Sequence, residues 1–269
     1  MLMPDITVVV ISWNMRTMLA DLLGSVVQHT KKVTYEVVVI DNCSADGTAD
    51  MVQSLFPKFR FIRNTKNLGV AAARNQGFRI AQGRYVLTLD ADMVLTENSL
   101  AELVRFMDRT PDAGVCGGRL VFPDGTLQPS ARRFPTPMAF IMRRLDFLTP
   151  VRNSRVLRNH EMAEWDRKDT RSVDYVIGAC QMIRRTAMAE VGLLDEHIFY
   201  GPEDVDYCLR MQRKGWKVYY CTEATLIHYE QRATRKQLLS SLSLRHLQGV
   251  MYLFWKYKGR LRPEYVSQD

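Results

Sequence analysis

Short apolar runs alternate with helix-spaced segments along the first third of the chain. Residues 6–11 form a β-branched run, and from Met15 to Val27 the apolar residues recur at helical spacing. The same order repeats at residues 35–55 and 60–81, before a fourth apolar run begins at Tyr85. Such apolar runs are typical of buried strands. Segments with apolar residues at helical spacing are typical of amphipathic helices. The order predicts a doubly wound α/β domain with a mainly parallel sheet flanked by helices.

Polar residues follow the first three predicted strands at their carboxyl ends. Ser12 and Asn14 come after the first, Asp41 and Ser44 after the second, and Asn67 after the third. Ligands bind outside the carboxyl ends of strands in sheets of this kind. We therefore expect these side chains to line one crevice, and Asn14 also to cap the helix that follows it.

The fourth apolar run ends at two carboxylates, Asp90 and Asp92, which Ala91 separates. Neighbouring acids repel one another unless a cation lies between them, and a hard divalent ion that also holds phosphate oxygens is the usual solution. An acidic turn ahead of a helix that starts near Glu97 explains the same residues without a metal. The pair alone leaves both interpretations open.

The second half of the chain is less regular. We expect a helix at residues 100–108, a strand around 114–116 and a turn at 123–125. Residues 132–171 are basic and are interrupted by prolines early on, which predicts a long mobile connection over the active face, partly helical near 138–148. A strand-like run at 173–183 is interrupted at Gly178, where a bulge or the close approach of an acceptor accounts for a glycine.

Composition narrows the class of protein. With 269 residues, 46% of them apolar, the chain can bury one substantial core. Its five scattered cysteines lack metal-ligand spacing and look like reduced, mostly buried thiols. Neither a membrane-spanning apolar run nor a signal peptide is present, which favours a cytoplasmic location.

The net charge of +8 indicates a polyanionic partner, which is nucleic acid, an acidic membrane surface or a phosphorylated substrate. The basic residues are concentrated at 132–171 and 232–262, outside the half of the chain that forms the predicted crevice, and no nucleic-acid-binding motif accompanies them, so nucleic acid is disfavoured. A dinucleotide dehydrogenase is also disfavoured, because no Gly-x-Gly-x-x-Gly loop follows the first strand and no Walker loop occurs.

Five motifs occur in a characteristic order. They are Ser-Trp-Asn after the first strand, the segment 40–47 (Ile-Asp-Asn-Cys-Ser-Ala-Asp-Gly), Asn67-Leu-Gly69 with Ala73-Arg-Asn75, Asp90-Ala-Asp92, and the segment 203–210 (Glu-Asp-Val-Asp-Tyr-Cys-Leu-Arg). Together they resemble the family 2 inverting glycosyltransferases of GT-A fold, in particular the rhamnosyltransferase-like branch. The likeness runs from about residue 6 to residue 228.

The resemblance implies a function and a domain organisation. The activity is transfer of a sugar from a nucleoside-diphosphate sugar, with Mg²⁺ or Mn²⁺, to a saccharide or lipid-linked acceptor in cell-surface polysaccharide biosynthesis. Residues 1–118 would form the nucleotide-sugar-binding half of a GT-A domain, and 119–230 the acceptor-binding and catalytic half. A C-terminal extension would span 231–269. A deoxythymidine-diphosphate sugar is the first donor to expect, followed by uridine- and guanosine-diphosphate sugars.

The resemblance also assigns roles to residues. Asp41 would contact the base and ribose, and Arg74 the diphosphate. Asp92 would bind the metal, with His228 near it. Asp204 would be the general base beside Glu203, and an acceptor would approach Gly178 and Ala179. The full set of expected donor contacts is Ser12, Trp13, Asn14, Asp41, Ser44, Asn67, Gly69, Arg74, Asp90 and Ala91.

Several of these residues also have structural explanations. Glu203 and Asp204 suit the first turn of a helix, where the helix dipole favours acids. Trp13 suits core packing, and Arg74 a solvated helix surface. Many relatives have Tyr-Asn in place of Trp13-Asn14, and a glycine and serine pattern after the position of His228. These departures leave the base contact and the metal role of His228 open.

Two other classes of protein compete with a glycosyltransferase. A sugar nucleotidyltransferase shares the crevice and the acidic metal site, but it expects a glycine-rich loop with Arg and Lys after the first strand, which residues 11–16 do not provide. A non-catalytic nucleotide-sugar-binding protein is the other alternative, and the presence of Asp92, Asp204 and Arg74 together argues against it.

The C-terminal stretch 238–262 predicts a basic amphipathic helix. Such a helix either lies peripherally on an anionic membrane or packs on the domain with its charges solvated, and the pattern leaves both open. The sequence carries no indication of oligomeric state.

Overall fold

A computed structural model describes residues 3–231 and 240–263 of the chain. Strands and helices alternate through its first half, as the apolar pattern predicts. The strands are β1 Ile6–Ser12, β2 Tyr35–Asp41, β3 Arg60–Arg63, β4 Tyr85–Asp90, β5 Met93–Leu95, β6 Ala113–Val121, β7 Ala131–Arg132, β8 Arg171–Ser172, β9 Tyr175–Val176, β10 Cys180–Arg184 and β11 Lys217–His228. The helices are α1 Arg16–His29, α2 Thr48–Leu55, α3 Val70–Ile80, α4 Ser99–Arg109, α5 Pro137–Arg144, α6 Thr149–Arg152, α7 Arg155–His160, α8 Arg185–Val191, α9 Glu203–Arg213 and α10 Ser241–Lys256.

One mixed sheet joins both halves of the chain. Its order is β3-β2-β1-β4-β10-β6-β11-β5, and β8 pairs with β11 beside this path. The first four strands are mutually parallel. Strand β10 is antiparallel to both β4 and β6, so it connects the parallel half to the strands that come later in the chain. The predicted α/β class and flanked sheet are confirmed.

The sheet carries a hydrophobic layer on each face. Val8 and Val10 of β1 pack with one cluster, which includes residues of α1 and α4. Val9 packs with the other cluster, which includes residues of α3, α9 and α10. Successive side chains of a strand point to opposite faces, so a run without polar alternation is buried on both sides.

The register brings the polar strand ends to one edge. Ser12 lies opposite Asp41 across β1 and β2, and Ile11 lies opposite Asp90 across β1 and β4. The crevice expected from the sequence therefore lies at the carboxyl ends of these strands.

Asn14 does not cap α1, which corrects one expectation. The helix begins at Arg16 without a side-chain cap hydrogen bond. Asn14 instead takes a left-handed backbone with φ of 54°. Its Oδ1 accepts a hydrogen bond from the Ala45 amide at 2.8 Å, and its own amide donates to Ser44 Oγ at 2.8 Å. The side chain that was expected to cap the start of α1 therefore links the loop after β1 to the loop after β2.

The helix expected near residues 138–148 is present as α5, and the connection 132–171 also contains two short helices that the pattern did not predict, α6 and α7. Thr136 Oγ1 caps α5 by accepting from the Ala139 amide, and Ser154 caps α7. Pro137 is the first residue of α5, a position where proline is favourable. One of the prolines that interrupt the apolar pattern therefore marks the start of a helix. A proline in the sequence does not by itself distinguish a helix start from a loop.

Helix α10 packs on the domain along one face, as one of the two interpretations predicted. Tyr257 Oη donates to Asp206 at 2.7 Å, and Lys256 Nζ contacts Asp206 and Asp195 at 2.6 and 2.7 Å. Residues 238 and 239, part of the predicted helix, lie outside the described residues. Within residues 3–231 and 240–263, no helix combines the length and hydropathy needed to cross a membrane.

Candidate active site

The crevice edge formed by β1 and β2 contains two buried polar atoms that have no hydrogen-bond partner among the described residues. Asp41 is fully buried, and its Oδ1 accepts from the Ser44 amide at 2.9 Å. Its Oδ2 has no hydrogen-bond partner and lies 3.6 Å from Arg63 Nε. Ser12 Oγ, on the neighbouring strand, is also buried and unpartnered. Because buried polar groups are normally satisfied, these two atoms mark a place where a polar ligand fits.

Trp13 is 48% exposed, so the core-packing interpretation of this residue was wrong. It lies between Ser12 and Asn14 at the mouth of the crevice. A large exposed aromatic ring at such a place provides a surface on which a planar base can stack. Its role as a donor contact stays a prediction.

Asn42 is hydrogen-bonded to the loop between β3 and α3, and the sequence motifs gave this residue no role. Its Nδ2 donates to Asn67 Oδ1 at 2.9 Å, and its Oδ1 accepts from the Leu68 amide at 3.0 Å. Gly69 in this loop has φ of 84°, and a Cβ there would lie 2.5 Å from the Phe199 carbonyl oxygen. Glycine at position 69 therefore allows this loop to pack directly against the Phe199 backbone.

The two carboxylates after β4 meet the end of β11. Asp90, Asp92 and His228 each offer a ligand atom, and these atoms lie within 4.8 Å of one another. Strand β11 pairs antiparallel with β5, which places His228 opposite Met93, next to Asp92. His228 Nε2 is 3.4 Å from Asp92 Oδ1. The two carboxylates supply the oxygen ligands that Mn²⁺ and Mg²⁺ take, and the imidazole adds a nitrogen that a transition metal accepts, so the donor set fits a divalent cation.

Gln128 fixes the orientation of His228 and was missed by the sequence analysis. Its Oε1 lies 2.7 Å from His228 Nδ1, and both side chains are buried. Because an amide oxygen only accepts, Nδ1 carries the proton and Nε2 faces the acidic pair. No local motif marks Gln128, since the two residues are 100 positions apart.

Charges around the cluster alter the pKa of two of its members. Burial alone would lower the pKa of His228, but the hydrogen bond and charge of Asp92 outweigh it and raise the pKa. Desolvation raises the pKa of Asp90, in opposition to the nearby Arg74 charge, and the neighbouring Asp92 carboxylate adds to the rise. Removal of water and repulsion from Asp92 disfavour the ionised form of Asp90, and a cation at the cluster would favour it.

Arg74 is buried between two acids and does not lie on a solvated helix surface. Its Nη2 donates to Asp90 at 2.6 Å and to the Gly178 carbonyl at 2.9 Å, and its Nη1 donates to Glu203 at 3.0 Å. Only 3% of its side chain is exposed. The guanidinium therefore links the acidic cluster of β4 to the start of α9. A direct contact with a diphosphate stays a prediction.

Glu203 and Asp204 begin α9, but their environments differ. Burial, followed by repulsion from Asp204, raises the pKa of Glu203 to about 7, against the attraction of Arg74. Asp204 is half-buried, and its Oδ2 accepts from the Gly178 amide at 3.1 Å. Both acids occupy the first turn of the helix, so the dipole explanation applies alongside a chemical role.

Gly178 is the point where these two networks meet. Its carbonyl accepts from Arg74 and its amide donates to Asp204, and a Cβ here would lie 2.8 Å from Arg74 Nη1. The absence of a side chain thus lets the guanidinium approach the backbone. Ala179 and Ala91 are buried in the hydrophobic core, so their side chains pack beneath the crevice. An acceptor or donor contact at these positions stays a prediction.

Tyr200 is a further crevice residue that the motif analysis did not single out. Burial raises the pKa of its phenol, and the charges of Asp90, Glu203 and Asp92 raise it further. A phenol with a raised pKa keeps its proton at neutral pH and can donate a hydrogen bond in this acidic environment.

The fold and this acidic crevice define a GT-A glycosyltransferase. The mannosyltransferase PcManGT from Pyrobaculum calidifontis, solved with GDP-Man and Mn²⁺, superposes with a TM-score of 0.65 at 20% identity, over 95% of this chain and 64% of that one. GalNAc-T7, solved with UDP, GalNAc and Mn²⁺, superposes with a TM-score of 0.68 at 19% identity, over 99% of this chain and 52% of that one.

The family model for glycosyl transferase family 2 matches residues 7–192, and the chain belongs to this family. The N-acetylglucosaminyl-diphospho-decaprenol L-rhamnosyltransferase of Mycobacterium tuberculosis is 28% identical over 83% of this chain and 76% of its own length. A putative teichuronic acid biosynthesis glycosyltransferase of Bacillus subtilis, TuaG, is 32% identical over 46% of this chain and 50% of its own length. The predicted family and its rhamnosyltransferase-like branch are confirmed, and glycosyl transfer is favoured over the nucleotidyltransferase alternative.

Proposed function

We propose that the chain is a metal-dependent inverting glycosyltransferase that uses a nucleoside-diphosphate sugar. The observation that carries this proposal is the convergence of Asp90, Asp92 and His228, whose ligand atoms lie within 4.8 Å of one another. They lie at the same sheet edge as the unpartnered Ser12 and Asp41 atoms. A cation site beside a polar nucleotide pocket is the arrangement that a diphosphate leaving group requires.

Asp204 is the residue suited to activate the acceptor. In an inverting displacement the acceptor oxygen bonds to the anomeric carbon while the bond from that carbon to the diphosphate oxygen breaks. Asp204 takes the acceptor proton, and the Gly178 amide at 3.1 Å holds the carboxylate in place. The divalent cation, when bound, stabilises the negative charge of the departing diphosphate.

Glu203 serves better as a partner of Arg74 than as the base. Its Oε1 accepts from Arg74 at 3.0 Å, its side chain is buried, and its pKa of about 7 leaves it partly protonated at neutral pH. Asp204 combines partial exposure with an anchored carboxylate, so we assign the proton transfer to Asp204 alone. Arg74 lies between Glu203, beside this base, and Asp90 of the acidic cation site.

The rhamnosyltransferase relative supports a lipid-linked acceptor, and the resemblance to the rhamnosyltransferase-like branch supports the choice of donor. We propose a deoxythymidine-diphosphate deoxyhexose as donor, with Trp13 and Asp41 at the base and ribose, and a lipid-linked saccharide as acceptor in cell-surface polysaccharide biosynthesis. Uridine- and guanosine-diphosphate sugars are the next donors to test. Residues 1–118 then supply the donor side, 119–230 the acceptor side, and 231–269 the C-terminal extension.

Replacement of the proposed base tests the mechanism. We expect Asp204→Asn to lower the transfer rate by about 10²- to 10⁴-fold, the usual contribution of a general base. Thermal shift with nucleoside diphosphate and Mn²⁺ should show that the variant still binds nucleotide. Asp21→Asn, at an exposed position of α1, is the matched control and should retain activity.

The stereochemistry of the product provides a second readout. Proton NMR of the product formed by the wild-type enzyme should show an anomeric configuration opposite to that of the donor. A product that retains the donor configuration would exclude a single displacement. Near-normal turnover of Asp204→Asn would exclude Asp204 as the base.

A further inference from the structure

Exposed large apolar side chains concentrate on two neighbouring parts of the described structure. Trp255 is 77% exposed and Phe147 is 70% exposed. Nine such residues belong to α5, α10 and the turn between α5 and α6: Met138, Ile141, Leu145, Phe147, Leu148, Leu244, Leu247, Met251 and Trp255. We call this set the α5/α10 face. Contiguous exposed apolar surface of this kind marks an interaction site.

Helical spacing aligns the exposed residues of α10. Leu244, Leu247, Met251 and Trp255 are separated by three or four residues, so they form one stripe along the helix. The buried residues Val250 and Leu253 lie on another side, against the domain. Within residues 3–231 and 240–263, the stripe is thus left uncovered, while another side of the helix packs on the domain.

Contacts between α5 and α10 bring their exposed residues together. Phe140 and Phe254 pack edge to face with ring centroids 5.5 Å apart, and Arg144 Nη2 donates to the Ser243 carbonyl at 3.1 Å. Leu247 and Phe254 are seven residues apart, so they lie on the same side of α10. The exposed stripe of α10 therefore borders α5, and the two sets form one surface.

Positive charge is concentrated in the two segments that carry this surface. Residues 137–158 contain five arginines and one aspartate, and residues 240–263 contain five lysines and arginines and no acid. The whole chain has a net charge of +8, so these two segments account for the entire excess and the remainder is close to neutral. An apolar stripe flanked by lysine and arginine is the pattern of proteins that lie in the interface of an anionic bilayer.

We propose that the α5/α10 face docks this enzyme onto an anionic lipid membrane, with Trp255 and Ile141 in the headgroup and acyl boundary. A second copy of the chain fits less well, because a symmetric contact between two such faces would bring their arginine-rich flanks together. A lipid surface satisfies the apolar stripe and the flanking cations at once. This proposal rests on the proposed function in one respect: docking on a membrane would bring the crevice to a lipid-linked acceptor.

Vesicle binding tests the docking surface directly. The full-length protein is sedimented with phosphatidylcholine vesicles, and with vesicles in which about one third of the lipid is phosphatidylglycerol. We expect binding to the anionic vesicles, and a loss of about tenfold or more in partitioning for Trp255→Glu and for Ile141→Glu. Leu55→Glu, at a 63% exposed position of α2, is the matched control and should partition like the wild type.

Charge neutralisation tests the flanking cations. Lys258→Gln and Arg260→Gln, at exposed positions beyond α10, should each weaken binding to the anionic vesicles about fivefold, and raised salt should do the same. Thermal melting of every variant confirms that the fold is retained. Light scattering reports the oligomeric state of each variant.

Three results would overturn the proposal. They are wild-type protein that ignores anionic vesicles, folded Trp255→Glu and Ile141→Glu variants that partition like wild type, and loss of a dimer in these variants without any change in vesicle binding. Transfer to a short water-soluble acceptor is measured in parallel. Active transfer without vesicle binding would remove the docking surface and leave the proposed function intact.

Discussion

The hydrogen bond between Gln128 and His228 leads to a sharp prediction about metal affinity. Gln128 Oε1 is 2.7 Å from His228 Nδ1, and the opposite nitrogen lies 3.4 Å from Asp92. Gln128→Met keeps the approximate volume of the side chain but removes the acceptor. The imidazole is then free to rotate or to change tautomer, so Nε2 no longer presents its lone pair reliably to the cation.

The size of the effect follows from the burial of both partners. Gln128 is 3% exposed and His228 is 5% exposed, so the Nδ1 proton has no access to water after the substitution. An unpaired buried donor costs about 1–3 kcal/mol of stability. Loss of a partner that orients a metal ligand lowers metal affinity by about 10- to 100-fold, which corresponds to about 1.4–2.7 kcal/mol of binding free energy.

The assay is a titration with Mn²⁺ in the presence of nucleoside diphosphate, with free Mn²⁺ measured by electron paramagnetic resonance. Gln128→Glu retains an acceptor at the same position, so we expect it to bind Mn²⁺ at least as well as wild type. Gln181→Met is the matched control, because Gln181 is also buried and donates to the Val176 carbonyl at 2.8 Å. It should lose stability without a loss of Mn²⁺ affinity.

A folded Gln128→Met variant with Mn²⁺ affinity within about twofold of wild type would refute the reasoning, since an orienting partner is worth at least about tenfold. Equal losses in Gln128→Met and Gln181→Met would also refute it, because general destabilisation would then explain both. The comparison separates an effect on the cation from an effect on the fold.

Two further predictions concern buried charges. Arg74→Met leaves Asp90 and Glu203 without their shared partner. We therefore expect the free energy of unfolding, measured by urea titration, to fall by about 3–5 kcal/mol. A loss below about 1 kcal/mol would contradict this, and Glu203→Gln should partly rescue the variant. Asp195 accepts from Lys256 and His197, which depress its pKa despite its partial burial. The ionised Asp195 therefore stabilises the fold fully above its ordinary pKa of 3.8, and this stabilisation is lost as the pH falls below that value. We expect Asp195→Asn to reduce the decrease in the free energy of unfolding that the wild type shows below this pH.

The apolar pattern by itself determined the parallel half of the sheet. Runs such as residues 6–11 and 85–89 lack polar alternation, and helix-spaced segments separate them, so local periodicity is enough to identify buried strands and their crossovers. The polar residues that end these strands follow directly in sequence. Ser12, Asp41 and Asp90 could therefore be assigned to one crevice, because parallel strands bring their carboxyl ends to the same edge.

Local patterns failed where short elements depend on distant contacts. In the region 132–171 the pattern indicated the helix near 138–148, which is present as α5, but it did not indicate α7, which Ser154 caps. Helices this short gain little stability from propensity and form through tertiary packing. Asn14 likewise has the residue type of a helix cap, but its side chain bonds to the Ala45 amide of another loop.

The tertiary structure alone decided how the chemical groups meet. Gln128 and His228 are 100 residues apart, and Arg74 and Glu203 are 129 residues apart. Their contacts exist because β10 inserts antiparallel between β4 and β6 and because β11 pairs with β5. Strand order and register depend on the packing of the whole sheet rather than on local periodicity. The sequence therefore determined which acids and strand ends this protein carries, and the fold decided that Arg74 would face inward and that His228 would join the acidic pair.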